Sequence, residues 1–155
     1  ADDAAFFGAM TIGPGGVAKT DDTAVFAGVG AGQTIVAREN DGTAAKTGTA
    51  DITVRCSNLT TYAVSLSAGG GTFAQRLLSG SGANKLQYNL FTSVAATTIW
   101  GDGTNSTGTV SGTGAGMAAA STQTHTVFGE LPDNAFNQGA PSGTYNDSIL
   151  VTVTY

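Results

Sequence analysis

From residue 50 onward apolar and polar residues alternate along most of the chain, and clusters of Gly, Asn, Asp or Ser bound each alternating run. A period of two sends successive side chains to opposite faces of an extended backbone, so these runs predict half-buried β-strands. In 51–56 the inward set is Ile52, Val54 and Cys56. In 62–66 it is Tyr62, Val64 and Leu66, with 57–61 as the intervening turn. Gly69-Gly70-Gly71 ends that strand. Leu86, Tyr88 and Leu90 then set the inward face of a longer one that stops near Phe91. The stretch 102–116 reads as turns, 124–128 as a further strand, and 149–155 alternates to the last residue. Before residue 50 three short strands are expected, around 6–12, 24–26 and 34–37, separated by Gly13-Pro14-Gly15-Gly16 and by the glycine-rich stretch 28–32. Strands this short, with turn signals between them and no solenoid or collagen period, predict an all-β sandwich.

A chain of 155 residues is enough for one domain with a core. Charged residues make up only 11% and glycine occupies 23 positions, which leaves few stretches that favour helix. The net charge is −5, and the six basic residues (Lys19, Arg38, Lys46, Arg55, Arg76 and Lys85) are scattered. A basic patch for nucleic acid or anionic lipid is therefore not expected. No apolar run approaches the roughly 18 residues that a membrane-crossing helix needs. The chain begins at Ala1 without an initiator Met or a charged-then-apolar leader, the pattern expected of a secreted product after signal-peptide removal. The single cysteine, Cys56, is expected to be a buried apolar residue at a strand end.

Acid–base or nucleophilic catalysis needs a tuned titratable group with an orienting partner. His125 is the one histidine, and it stands in an alternating strand, where packing or solvent exposure is the expected role. Without a second histidine or a cysteine cluster there are too few ligands for a transition metal. The segment 102–108 carries one carboxylate, Asp102, and reads as a turn and not as a calcium loop. The runs 28–32 and 112–116 imitate part of a dinucleotide fingerprint but lack a following helix, and Ala18 stands where a phosphate loop needs glycine before Lys19. Asn58-Leu59-Thr60 and Asn105-Ser106-Thr107 are glycosylation sequons, relevant only where the source has such a pathway. Trp100 and Tyr145 are expected to pack, not to form stacking platforms. No enzyme, cofactor or metal is expected.

Several segments, in order and spacing, carry a family resemblance over about two-thirds of the chain. They are the strand ending in Cys56, then Tyr62-Ala63-Val64-Ser65-Leu66, Arg76-Leu77-Leu78 and Leu86-Gln87-Tyr88-Asn89-Leu90-Phe91. Trp100-Gly101-Asp102-Gly103 and Val127-Phe128-Gly129-Glu130-Leu131-Pro132 follow, and Gly143-Thr144-Tyr145-Asn146-Asp147 leads into Val151-Thr152-Val153-Thr154-Tyr155. In these the sequence resembles the spore coat protein U domain family, which includes the pilins of archaic chaperone-usher pili. The resemblance implies an incomplete immunoglobulin-like sandwich whose missing strand leaves an apolar groove beside the C-terminal strand. A periplasmic chaperone fills the groove first, and at an outer-membrane usher the N-terminal strand of the next identical subunit replaces it. Repetition makes an extracellular fibre that supports attachment and biofilm formation.

An exposed edge beside apolar side chains must be paired, and a C-terminal strand without a tail is expected to leave its edge open to another chain. On this reading residues 1–12 are the donor segment and 13–155 the single sandwich domain. Either parity of the donor could fill pockets; Phe6, Gly8, Met10 and Ile12 are preferred over Ala5, Phe7, Ala9 and Thr11 because three large groups bury more area. At about 25 cal/mol per Å2 that burial is on the order of several kcal/mol before ordering costs. The acceptor residues are Ile149, Val151, Val153 and Tyr155. Family members commonly pair the cysteine matching Cys56 with an N-terminal one, and no second cysteine is present here. The alternatives are that 6–12 is the first strand of its own domain, and that the chain is a surface coat protein or a carbohydrate-binding adhesin module of the same fold.

Overall fold

In the computed structural model, which describes residues 8–11, 17–18, 23–27, 34–37, 45–141 and 145–155, the alternating runs become strands. Four short ones, Gly8–Thr11 (β1), Val17–Ala18 (β2), Thr23–Ala27 (β3) and Thr34–Ala37 (β4), precede the long Lys46–Val54 (β5). Thr61–Leu66 (β6), Arg76–Ser79 (β7), Lys85–Phe91 (β8), Val110–Thr113 (β9), Gln123–Leu131 (β10) and Ser148–Thr154 (β11) follow. A single-turn helix, Ala135–Gly139 (α1), lies between β10 and β11.

Two four-stranded antiparallel sheets, in the orders β1-β11-β6-β9 and β5-β10-β8-β7, bury their facing sides against each other, and β2-β3-β4 form a third sheet beside β5. All nine residues assigned inward in β5, β6, β8 and the Cys56 bridge (Ile52, Val54, Cys56, Tyr62, Val64, Leu66, Leu86, Tyr88 and Leu90) are buried. Trp100 fills the centre of the core and donates its Nε1–H to the Val64 carbonyl at 2.9 Å, so its one polar atom is satisfied inside an apolar layer.

Several elements depart from the sequence pattern, β2 among them. β9 lies inside the stretch expected to be turns, because Val110 is its one large apolar residue. Its Gly112 stands opposite Tyr62, where an added Cβ would overlap the tyrosine ring. β7 was concealed because its inward residues are Arg76 and Leu78, and an arginine at an inward position breaks the binary pattern. β5 and β10 each run to nine residues and pair along their whole length, from Lys46↔Leu131 to Val54↔Gln123.

The junction after β10 follows from one proline. β10 pairs with β8 from Phe128↔Phe91 to Glu130↔Asn89, and continuing that register would set Pro132 opposite Gln87. Proline has no N–H to give to the ladder. The side-chain amide of buried Asn137 takes the vacant place: its Oδ1 accepts from Gln87 N–H at 2.7 Å, and its Nδ2 donates to the carbonyls of Gln87 and Pro132, both at 2.9 Å. α1 exists to deliver that amide. Asn134 caps it by accepting from Asn137 N–H at 2.9 Å.

Candidate assembly site at the C-terminal strand

β11 is the strand on which the two ends of the chain meet. One side pairs with β6, from Val151↔Leu66 to Thr154↔Ala63, and Ser67 extends the ladder by donating its N–H to Leu150 O at 2.9 Å. The other side pairs with β1 in the register Gly8↔Val151, Ala9↔Leu150, Met10↔Ile149 and Thr11↔Ser148. Residues Ile149, Val151 and Val153 point into the core and are buried, while Leu150 on the opposite face is half exposed. The inward face of β11 is thus an apolar row on a strand paired along both edges, by β6 and by β1.

The start of β11 is held by polar groups that bridge the two sheets. Asn146 exchanges both backbone hydrogen bonds with Ser79, the last residue of β7, at 2.7 and 2.9 Å, so the chain touches the second sheet just before it joins the first. The Asp147 carboxylate accepts from Gly70 N–H at 2.9 Å, Ser148 N–H at 2.8 Å and the Tyr88 hydroxyl at 2.5 Å. Gly69, at φ +60°, lets the backbone come this close, since a Cβ there would collide with Asp147. Burial first, then the hydrogen bond and charge of Asp147, push the Tyr88 hydroxyl far above the ordinary tyrosine range, so it stays protonated and remains a donor.

Arg76 is fully buried next to this cluster. Its Nε and Nη2 donate to Ser67 O at 3.1 and 2.8 Å, Nη2 also reaches Trp100 O at 2.7 Å, and Nη1 reaches Asn89 Oδ1 at 2.6 Å. Asn89 is fixed in turn by Phe73 O and Ala74 O, and the guanidinium carbon sits 5.7 Å from the Phe73 ring. Burial lowers the Arg76 pKa, and the nearby Tyr88 and Asp147 oppose that shift. A planar fork with five donors is suited to tie the end of β6, the Trp100 segment and β8 together.

Of the expected acceptor residues, Ile149, Val151 and Val153 lie side by side on the inward face. Tyr155 departs from them: β11 ends at Thr154, the last residue paired with β6, and Tyr155 beyond it is 53% exposed. Of the expected donor residues, Gly8 and Met10 lie in β1 opposite Val151 and Ile149, and Phe6 and Ile12 fall outside the described residues.

Elsewhere, Trp100 and Tyr145 are buried and form no stacking surface. The Tyr62 hydroxyl donates to Gln123 Oε1, which leaves His125 Nε2, 2.8 Å away, as the donor to the tyrosine oxygen. Gln123 Nε2 in turn donates to Thr113 O, so this chain of bonds links both sheets at one end of the sandwich. Burial lowers the His125 pKa. Cys56 is a buried free thiol. The Asp102 carboxylate is taken up by Thr104, through its N–H and its hydroxyl. Among the described residues no three His, Cys, Asp or Glu side chains gather as metal ligands, and no helix is long and apolar enough to cross a membrane.

The two-sheet, all-β fold is similar to that of a solved chaperone-usher pilus protein. The model of the spore coat protein U domain matches residues 16–152. Protein U of Myxococcus xanthus is 31% identical over 117 residues, covering 70% of this chain and 60% of that protein. A chain in the crystal structure of the CsuC–CsuE chaperone–tip adhesion subunit pre-assembly complex, from the archaic chaperone-usher Csu pili of Acinetobacter baumannii, superposes with a TM-score of 0.51 at 26% identity. That match covers 70% of this chain and 34% of the solved one. The chain therefore spans less than two-thirds of either relative. The matched family and this neighbour are structural, not enzymatic, groups. With 137 consecutive positions matched, this chain belongs to the spore coat protein U domain family.

Proposed function

We propose that this protein is a structural subunit of an extracellular chaperone-usher-type pilus, polymerising by strand complementation between identical copies and supporting surface attachment and biofilm formation. The observation that carries the proposal is the placement of β1. A short strand from the far end of the sequence completes the sheet at β11, at a sheet edge, and among the described strands it is ladder-paired with β11. Such an edge strand can be supplied by another chain with the same contacts. The register Gly8↔Val151 and Met10↔Ile149 supports the parity Phe6, Gly8, Met10 and Ile12 for the donor, because Gly8 and Met10, the two described members of that set, stand opposite inward positions of β11. The acceptor is the row Ile149, Val151 and Val153, with Tyr155 at its rim.

On this reading residues 1–12 are the donor segment of a single domain, a periplasmic chaperone covers β11 before assembly, and an outer-membrane usher hosts the exchange. The family membership and the chaperone–subunit neighbour support this route. A surface coat protein of the same fold is the second reading, favoured by the pairing of β1 with β11 of its own chain.

Electron microscopy of the native material, beside a gel of boiled and unboiled samples, separates the two. Filaments with a boiling-sensitive ladder, both lost when residues 1–12 are deleted, are the expected result. Compact monodisperse particles with no ladder would overturn the pilus reading in favour of the coat protein.

A further inference from the structure

The face of β6 that looks away from the core is built of small residues. Tyr62, Val64 and Leu66 point inward, so Thr61, Ala63 and Ser65 stand on the outer side. Strand pairing sets Ser111 and Thr154 on the two flanks of Ala63, and Thr113 beside Thr61. Neighbouring strands run about 4.8 Å apart, so an alanine between two hydroxyl-bearing residues leaves a depression in that row. An open pocket of about 590 Å3 lies here. Tyr155, exposed just beyond the last paired residue of β11, also lines it.

We propose that this pocket binds a neutral oligosaccharide. Its volume falls within the range of about 300–1,000 Å3 usual for small-molecule sites. No lining residue is charged, and the net charge of −5 on the chain opposes an acidic glycan. A sugar hydroxyl both donates and accepts, and so does each Ser or Thr hydroxyl, so the two surfaces pair in either sense. Among the described residues none bonds the hydroxyls of Thr61, Ser111, Thr113 or Thr154, whereas those of Thr104, Thr107 and Thr122 turn back onto the chain. Tyr155 adds an apolar ring for the C–H face of a pyranose and a hydroxyl for its edge.

The floor is fixed before any ligand arrives. β6 is paired along both edges, by β11 and by β9. Leu59 N–H donates to Gly114 O at 2.8 Å and Gly114 N–H to Thr60 O at 2.7 Å, which carries the ladder past Thr113. The Gln123 side chain joins the Thr113 carbonyl to the Tyr62 hydroxyl on the inner side. A preformed floor lowers the ordering cost of binding, and a shallow site with few contacts holds its ligand with a dissociation constant on the order of millimolar. In a polymer of identical copies every subunit repeats the site, so weak contacts sum to firm attachment. The inference stands on the single chain and does not depend on the pilus reading.

Saturation-transfer NMR on the full chain, monomeric or assembled, reads the contact from the ligand's own protons. Cellotetraose and maltotetraose, each at roughly 10 mM, are the probes. At least one of them should receive saturation on its ring protons. Tyr155→Ala, which lies beyond the paired part of β11, and Ala63→Leu, which fills the depression, should each cut the transfer by about fivefold. Leu150→Ala, on the outer side of β11 but outside the pocket, should match wild type. Trp100 emission establishes that each variant is folded, and Tyr155→Ala alone suffices where Ala63→Leu is not. No transfer to either probe, equal transfer in wild type and Tyr155→Ala, or stronger transfer to trigalacturonate would overturn the site. Glycan contact in a protein that never forms filaments would retain this inference and reject the pilus reading.

Discussion

Replacing Arg76 with methionine removes the one charged group buried at the junction of both sheets while keeping its bulk. In the variant Ser67 O loses two donors and Trp100 O loses one, and Asn89 Oδ1 retains only its own neighbour Leu90 N–H. A buried Trp100 carbonyl and a half-buried Ser67 carbonyl left without donors cost about 1–3 kcal/mol each, the Ser67 one toward the low end. Relief from holding a desolvated cation offsets part of that, as replacement of buried charges by apolar groups elsewhere indicates. The expected net loss is about 3 kcal/mol, a large share of the roughly 5–15 kcal/mol typical of a domain. With a urea slope of about 2 kcal/mol per M, the midpoint should fall by about 1.5 M. Arg76→Lys keeps the charge but not the planar fork, and one ammonium cannot span Ser67, Trp100 and Asn89, so it should recover less than half of the loss. Urea denaturation followed by Trp100 fluorescence reads both variants. A midpoint shift below about 0.3 M for Arg76→Met, or wild-type stability for Arg76→Lys, would refute the argument that fork geometry, and not charge alone, holds this junction.

Two further outcomes follow from local geometry. Leu59 sits in the 57–60 turn at φ +65°, 78% exposed, so its side chain returns little for a left-handed conformation that costs about 1–2 kcal/mol. Leu59→Asn should raise the melting temperature by about 2–4 °C, and an unchanged or lower value would mean that the leucine makes a contact worth keeping. The folded state depresses the His125 pKa below its usual 6.5, so the unfolded chain binds that proton first as pH falls. The stabilising preference for neutral imidazole is complete above pH 6.5 and declines as the pH drops toward the lower folded value. The urea midpoint should fall between pH 7.5 and 5 in the wild type and fall less in His125→Gln; identical slopes would show that other groups carry the dependence.

How much of this could be read beforehand depends on what fills each inward position. Where Val, Ile, Leu or Tyr occupy alternate places, as in β6, β8 and β11, strand and face were both legible. β7 was not, because burial of Arg76 is licensed only by acceptors 9 to 24 residues away. β9 was not, because Gly112 is small for the sake of Tyr62 in another strand. At the site, the row Ile149, Val151 and Val153 was legible from period alone. The exposure of Tyr155 was not, since it depends on where pairing with β6 stops. The alternation in 6–12 marked a strand there, described over Gly8–Thr11, but period alone does not say which strand it pairs with. The roles of Asp147 and Asn137 were likewise invisible, although Asp147 falls inside a quoted family segment. An aspartate after a glycine run far upstream, or an asparagine five residues past a proline, carries no local signature of its partner.

The Asn137 amide and strand β1 do the same chemical task in different sheets: each satisfies backbone groups that a ladder leaves open. They differ in what can replace them. A side chain rooted in a capped helical turn has no counterpart that an incoming polypeptide could imitate, so the β8 flank at Gln87 is permanently shut. The group that closes the β11 flank is a strand, whose backbone any other extended segment shares. The proline at 132 thus calls for a closure that only a folded side chain supplies, while the edge of β11 is closed by the most general partner a sheet can have.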